Sequence, residues 1–145
     1  MGLFSAKVER RGRGESKKLI RFVQQLSEVE VQVGFFDAEN TRKAAANEYG
    51  VVDENVPERS FMRPVFKQAQ GRAMRRFAGT LSRSLANPKA AMLVVGDVVR
   101  EQIQQNIEDW PADNAPATVR KKGFNKGLIE TGDMHNAVQV RARKR

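Results

Sequence analysis

Residues 47–66 read NEYGVVDENVPERSFMRPVF. Gly50 follows Glu48 and Tyr49, where a helix ends most cheaply in a left-handed residue without a Cβ. Pro57 biases Val56 to an extended conformation. Ser60 is placed to cap a following helix, with Pro64 in its first turn. Between these fixed points lie Phe61, Met62, Val65 and Phe66, flanked by Arg59 and Arg63. The stretch therefore predicts a short helix joined to the longest one through a rigid, apolar turn, which suits a docking segment.

Outward from that turn the hydrophobic period changes twice. Upstream, Leu19, Phe22, Val23 and Leu26 recur at helical spacing within 15–27. Val29, Val31, Val33 and Phe35 then alternate with Glu28, Glu30, Gln32 and Gly34, which predicts a strand with one wet face. A short alanine-rich helix follows over 41–49, capped by Asn40 or Thr41. Downstream, Phe66, Ala69, Ala73, Phe77, Leu81 and Leu85 form the stripe of a helix over 61–85. Asn87-Pro88 opens another, with the stripe Met92, Val95, Val99, Ile103, Ile107 and with Gly96 allowing a close neighbour. These two helices form a bent pair or an antiparallel hairpin. Residues 110–136 are loop-rich with helical turns near 117–122 and 131–137, and Val138, Val140 and Ala142 alternate as a terminal strand.

The pattern is α+β: a small antiparallel sheet packed against two long amphipathic helices plus shorter helices. Two strands need cover or further strands. Residues 2–8, residues 51–56 or a neighbouring subunit are the candidates. The expected organisation is a flexible basic arm (1–14), one domain (15–140) and a basic C-terminal tail (141–145).

The 145 residues are 40% hydrophobic, enough for one domain with a core. Cysteine is absent, which excludes disulfides and thiolate metal sites. No apolar run is long enough to span a membrane, and the N-terminus reads without a signal peptide. Net charge is +9, and it is segregated. Residues 28–58 hold eight acidic and two basic side chains, whereas 59–96 hold eight basic and no acidic ones.

No phosphate-binding glycine loop or nucleophile motif occurs. His135 is the sole histidine, so Asp133 and His135 offer at most one weak metal site. The reading is a protein without catalytic activity, cofactor or metal, and without a small-molecule substrate or membrane. The basic side chains Arg72, Arg75, Arg76, Arg120, Lys121 and Lys122 are candidate contacts to a nucleic-acid backbone, against the plainer reading of a solvated face.

Two sets of residues carry a family resemblance when read together. One is Ala45-Ala46-Asn47-Glu48-Tyr49-Gly50 with Val56-Pro57-Glu58-Arg59-Ser60-Phe61-Met62-Arg63-Pro64. The other is Ala115-Pro116-Ala117-Thr118-Val119-Arg120-Lys121-Lys122-Gly123 with Leu128-Ile129-Glu130-Thr131-Gly132-Asp133-Met134. In this order they resemble the small neck and tail-completion (head–tail joining) proteins of long-tailed bacteriophages, departing at Ala115, Gly127 and Met134-His135. The resemblance implies a structural virion protein with an α+β fold. It implies a homo-oligomeric ring, typically a hexamer, at the head–tail junction or the top of the tail. Neighbouring neck, connector or tail-tube proteins and passing DNA would be its partners, and assembly would take place in the host bacterial cytoplasm. The alternative is a nonspecific nucleic-acid-binding protein using its basic face and tails. For a ring, the boundary between acidic and basic halves nominates Glu58, Arg59, Phe61, Met62 and Arg63 as the candidate assembly interface. The contrasting reading makes Phe61 and Met62 ordinary core residues.

Overall fold

The computed structural model describes residues 13–83 and 87–145. The elements run α1 (Arg13–Ser27), β1 (Val29–Gly34), α2 (Ala38–Tyr49), a 3-10 turn (Val52–Glu54), α3 (Val65–Arg83), α4 (Pro88–Glu108), α5 (Pro116–Lys122), α6 (Asp133–Asn136) and β2 (Gln139–Lys144). This is the expected α+β class, with a two-stranded antiparallel sheet on a helical body.

α4 is the central element of the body: it meets α3, α1, α6 and both strands. Its start is as the sequence predicts, with Pro88 in the first turn and Asn87 Oδ1 accepting the Ala90 N–H at 3.0 Å. α3 and α4 run antiparallel. Gln68 bonds Asn106 while Arg72, one turn further along α3, bonds Gln102, one turn earlier on α4. The hairpin reading holds, although Leu85 and the connecting Ala86 lie outside the described residues.

The sheet lies across α4 at Gly96. A Cβ there would sit 2.5 Å from Val140 Cγ1 and 2.7 Å from Val31 Cγ1. The close approach anticipated for this glycine is thus made by the apolar face of the sheet. On the opposite face Glu30 pairs with Arg143 at 3.0 Å, and the Arg141 guanidinium covers the Phe36 ring at 4.0 Å.

The main core gathers Ala44, Phe61, Val65, Ile103, Ile107, Leu128, Met134 and Val138. A second cluster of Ala69, Ala73 and Val98 fills the α3–α4 contact with small side chains.

Several expectations are corrected. α2 begins at Ala38 because Asp37, not Asn40 or Thr41, is its cap, accepting the Asn40 N–H at 2.7 Å. α3 begins at Val65, and Ser60 does not cap it; its hydroxyl donates to Glu48 Oε1 at 3.0 Å. Phe66 is 75% exposed, so the packed stripe of α3 is Val65, Ala69 and Ala73. Residues 51–56 add no strand to the sheet. They close a hairpin of their own through the Val51–Val56 bridge, with Asn55 left-handed at φ 53°.

The C-terminal residues read as a tail belong instead to β2. Arg141, Ala142, Arg143 and Lys144 pair with Gln32, Val31, Glu30 and Val29, and the Arg145 N–H reaches Glu28 O at 2.7 Å. Their alternation of basic and small residues conceals a strand whose wet face answers Glu30 of β1. At the other end, Arg13 and Gly14 of the expected arm lie within α1, while residues 1–12 lie outside the described residues.

Candidate functional site

The turn quoted at the outset is wound around one buried carboxylate. Glu48, in the last turn of α2, is 3% exposed. Oε2 accepts the Met62 N–H at 2.8 Å. Oε1 accepts the Arg63 N–H at 3.0 Å, Arg63 Nε at 2.9 Å and the Ser60 hydroxyl. A side chain of α2 thus binds the polar groups ahead of α3, the role the sequence assigns to Ser60. Burial pushes the Glu48 carboxyl up, but the Met62, Arg63 and Ser60 donors outweigh it and hold the group below the usual carboxylate range. Arg63 also donates to the Glu48 carbonyl at 2.8 Å, pairs with Glu58 and lies over the Tyr49 ring. Donation to Glu48 and Glu58 raises its pKa.

Arg59 makes the second tie. It is 6% exposed, donates from Nε to Asp113 Oδ2 at 2.8 Å and from Nη1 to Asn47 Oδ1 at 3.1 Å. The Arg59 N–H also reaches the Asn47 carbonyl at 2.6 Å. Asp113 takes a further bond from Trp110 Nε1 at 3.1 Å. Burial raises the Asp113 carboxyl, and the donors on Arg59 and Trp110 lower it by more. Gly127 lies against this pair: a Cβ there would stand 2.1 Å from Asp113 Oδ1 and 3.0 Å from Arg59 Nε.

The segments that carry the family resemblance are therefore neighbours in space. Residues 45–50 and 56–64 are laced together by Glu48 and Asn47. Arg59 ties them to Asp113, just ahead of α5, and 127–134 closes over the pair. An open crevice of about 740 Å³ lies among them, bordered by Lys43, Asn47, Arg59, Asp113, Lys121 and Asp133.

This geometry revises the candidate interface. Phe61 is fully buried and meets Phe35 edge to face, with ring centroids 6.3 Å apart. Phe61 and Arg59 are interior residues of the subunit, and Met62 packs partly against the same core. Glu58 and Arg63 keep half-exposed side chains but are paired with each other. The reversal of charge at 58–59 is answered inside the chain.

The candidate nucleic-acid contacts fall into two groups that no hydrogen bond or ion pair connects among the described residues. On α3, Arg72 bonds Gln102 at 2.7 Å and Arg76 pairs with Glu101 at 3.0 Å, while Arg75 is exposed. On α5, Arg120 and Lys121 are exposed. Lys122 donates to the Lys126 carbonyl at 2.9 Å beside the Phe124 ring, and burial pushes its pKa down. His135 and Asp133 turn to different partners. His135 Nε2 meets Glu108 at 2.8 Å, and Asp133 accepts the Thr131 hydroxyl at 2.5 Å.

Glu48 and the Arg59–Asp113 pair were missed as structural centres because periodicity reports apolar burial and not the burial of a charge, here of Glu48 and Arg59. A usable signal was present for Glu48: an acid at the end of an apolar helix face, followed by a turn with two arginines. For Asp113 nothing local points to a partner 54 residues away.

No protein-family model, curated protein or solved structure matches this chain.

Proposed function

We propose that this chain is a structural subunit of a tailed-phage virion, of the neck or tail-completion kind, which self-assembles into a ring around the path of the DNA. The observation that carries the reading is the convergence just described. The separate motifs of the resemblance, spread over 45–134, form one interlocked unit held by the Glu48 and Arg59 networks. That is a reason for those residues to occur together and in that order. The polar groups of the unit are largely consumed in holding it, which favours a scaffold role over a catalytic one.

The surface supports assembly as well. Asp53, Glu54, Lys67 and Arg75 are exposed, and each lacks an ion pair among the described residues. Lone apolar side chains stand beside them. The basic residues of α3 and α5 serve the lumen or a neighbour. The competing reading, nonspecific nucleic-acid binding, draws on Arg75, Arg120 and Lys121.

Native mass spectrometry together with a DNA-binding salt titration separates the two. A closed oligomer with weak DNA affinity is expected. A monomer that binds DNA with a steep salt slope would replace this reading with the alternative.

A further inference from the structure

Among the described residues the sheet has two strands, and so two open edges. The Arg145 N–H donates to the Glu28 carbonyl, one position beyond the Val29–Lys144 pair. Bonded and non-bonded pairs alternate along an antiparallel ladder, so Glu30–Arg143, Gln32–Arg141 and Gly34–Gln139 are the bonded pairs. Val29, Val31 and Val33 therefore turn their N–H and C=O groups away from β2, and Val140, Ala142 and Lys144 turn theirs away from β1. Among the described residues these outward groups make no backbone hydrogen bond, and α1, which packs on β1, supplies none.

The two edges are unlike. β1 carries Glu30, follows Glu28 and has no basic residue, whereas β2 carries Arg141, Arg143 and Lys144 and has no acidic one. Pairing like edges would set acid beside acid or base beside base, which opposes edge-to-edge addition. Unlike edges match. Their fit is the one already made inside the subunit, where Val31 lies opposite Ala142, Val33 opposite Val140, and Glu30 meets Arg143 at 3.0 Å. Each strand is six residues long, so one edge covers the other from end to end.

We infer that β1 of one copy adds antiparallel to the outer edge of β2 of the next, so that the sheet runs on from subunit to subunit. The occupant is a second copy of this chain because each edge supplies the length, the side-chain order and the charge that the other calls for. The added strand satisfies the outward backbone groups, and Glu30 of one copy faces the basic wet side of the next. Two different edges meet, so the contact is heterologous, and closing it as a ring leaves no edge open. This inference rests on the self-assembling part of the proposed function and names the contact.

The direction of the backbone groups supplies the test. Ala142→Pro removes an N–H that points outward and costs the subunit no ladder bond. It should keep the parental circular dichroism and weaken self-association at least about tenfold in sedimentation equilibrium. In hydrogen exchange on the parent, the amides of Val31, Val33, Val140 and Ala142 should be slow in the oligomer and fast in the dilute monomer, with Glu30 and Arg143 slow in both. Cysteine is absent, so Gln32→Cys and Arg141→Cys proteins mixed with a short bis-maleimide report the seam directly. They should cross-link to one another and neither to itself. The contact is overturned if folded Ala142→Pro associates as the parent does, or if the unlike proteins fail to cross-link. It is also overturned if the outward amides are already slow in the dilute monomer, because the edge is then filled from within the chain. In each of these cases an oligomeric parent keeps the ring reading with a different interface. A parent that stays monomeric at every concentration removes both the contact and the ring. Should Ala142→Pro not fold, exchange and cross-linking decide.

Discussion

Glu48→Ala removes the acceptor around which residues 60–63 are arranged. Four donors lose it: the Ser60 hydroxyl, the Met62 and Arg63 N–H groups, and Arg63 Nε. Leaving a buried donor unsatisfied costs about 1–3 kcal/mol, and breaking a fully buried ion pair costs about 3–5 kcal/mol. Here the Arg63 side chain is half exposed and retains Glu58, so its share lies at the low end. The two backbone donors contribute about 1 kcal/mol each and the remaining pair about 1–2 kcal/mol more, or about 3–4 kcal/mol together. That is a large part of a typical stability of about 5–15 kcal/mol. With a urea m-value of about 2 kcal/mol/M, the midpoint should fall by about 1.5–2 M, followed by circular dichroism. Glu48→Gln keeps one acceptor oxygen and should lose about half as much. The pH dependence follows from the lowered carboxyl. Its contribution is complete above the unfolded glutamate pKa and is lost as pH falls through the lower folded value. The parent should therefore lose stability on acidification more steeply than Glu48→Gln. A Glu48→Ala protein within about 0.5 kcal/mol of the parent, or parallel pH slopes for parent and Glu48→Gln, would refute the role assigned to this carboxylate.

Other expectations follow from the same contacts. Arg59→Glu places a buried carboxylate beside Asp113, whose own side chain is about one-third exposed, and should destabilise by about 2–3 kcal/mol, read by thermal melting; a folded protein with the parental midpoint contradicts it. Gly96→Val drives a branched side chain into Val31 and Val140 and should cost about 2–3 kcal/mol of overpacking, measured by urea unfolding, where an unchanged midpoint would mean that the sheet does not lie on α4 there. In hydrogen exchange, amides of 139–144 should be protected together with those of 29–34, and rapid exchange throughout 139–144 would return these residues to the status of a tail.

The sequence carried the class of the fold because its two hydrophobic periods are well separated along the chain. Val29–Phe35 alternates cleanly, and Val95–Ile107 repeats at three and four, so strand and central helix were legible. Gly96 was legible too, as the one residue of α4 without a side chain where the sheet must approach. The wet half of β2 was less so, because Arg141 and Arg143 look like a solvated tail until they face Phe36 and Glu30 across the sheet. The site was misread at its centre. Phe61, Met62, Arg59 and Arg63 were singled out correctly as a rigid cluster, but a cluster that is apolar and charged can face inward or outward. The decision rests on two carboxylates that take up the arginines within the subunit, the buried Glu48 and the partly exposed Asp113. Neighbouring positions that looked incidental, Val52 and Phe66, are the ones left in solvent.

The measurement that bears most directly on the proposed function is electron microscopy of tailed particles assembled with and without this chain. The account predicts that its loss leaves filled heads and separate tails, or tails with an unfinished upper end, and that restoring the parent chain joins them. Complete, infectious particles in its absence, with normal necks and tails, would contradict the account.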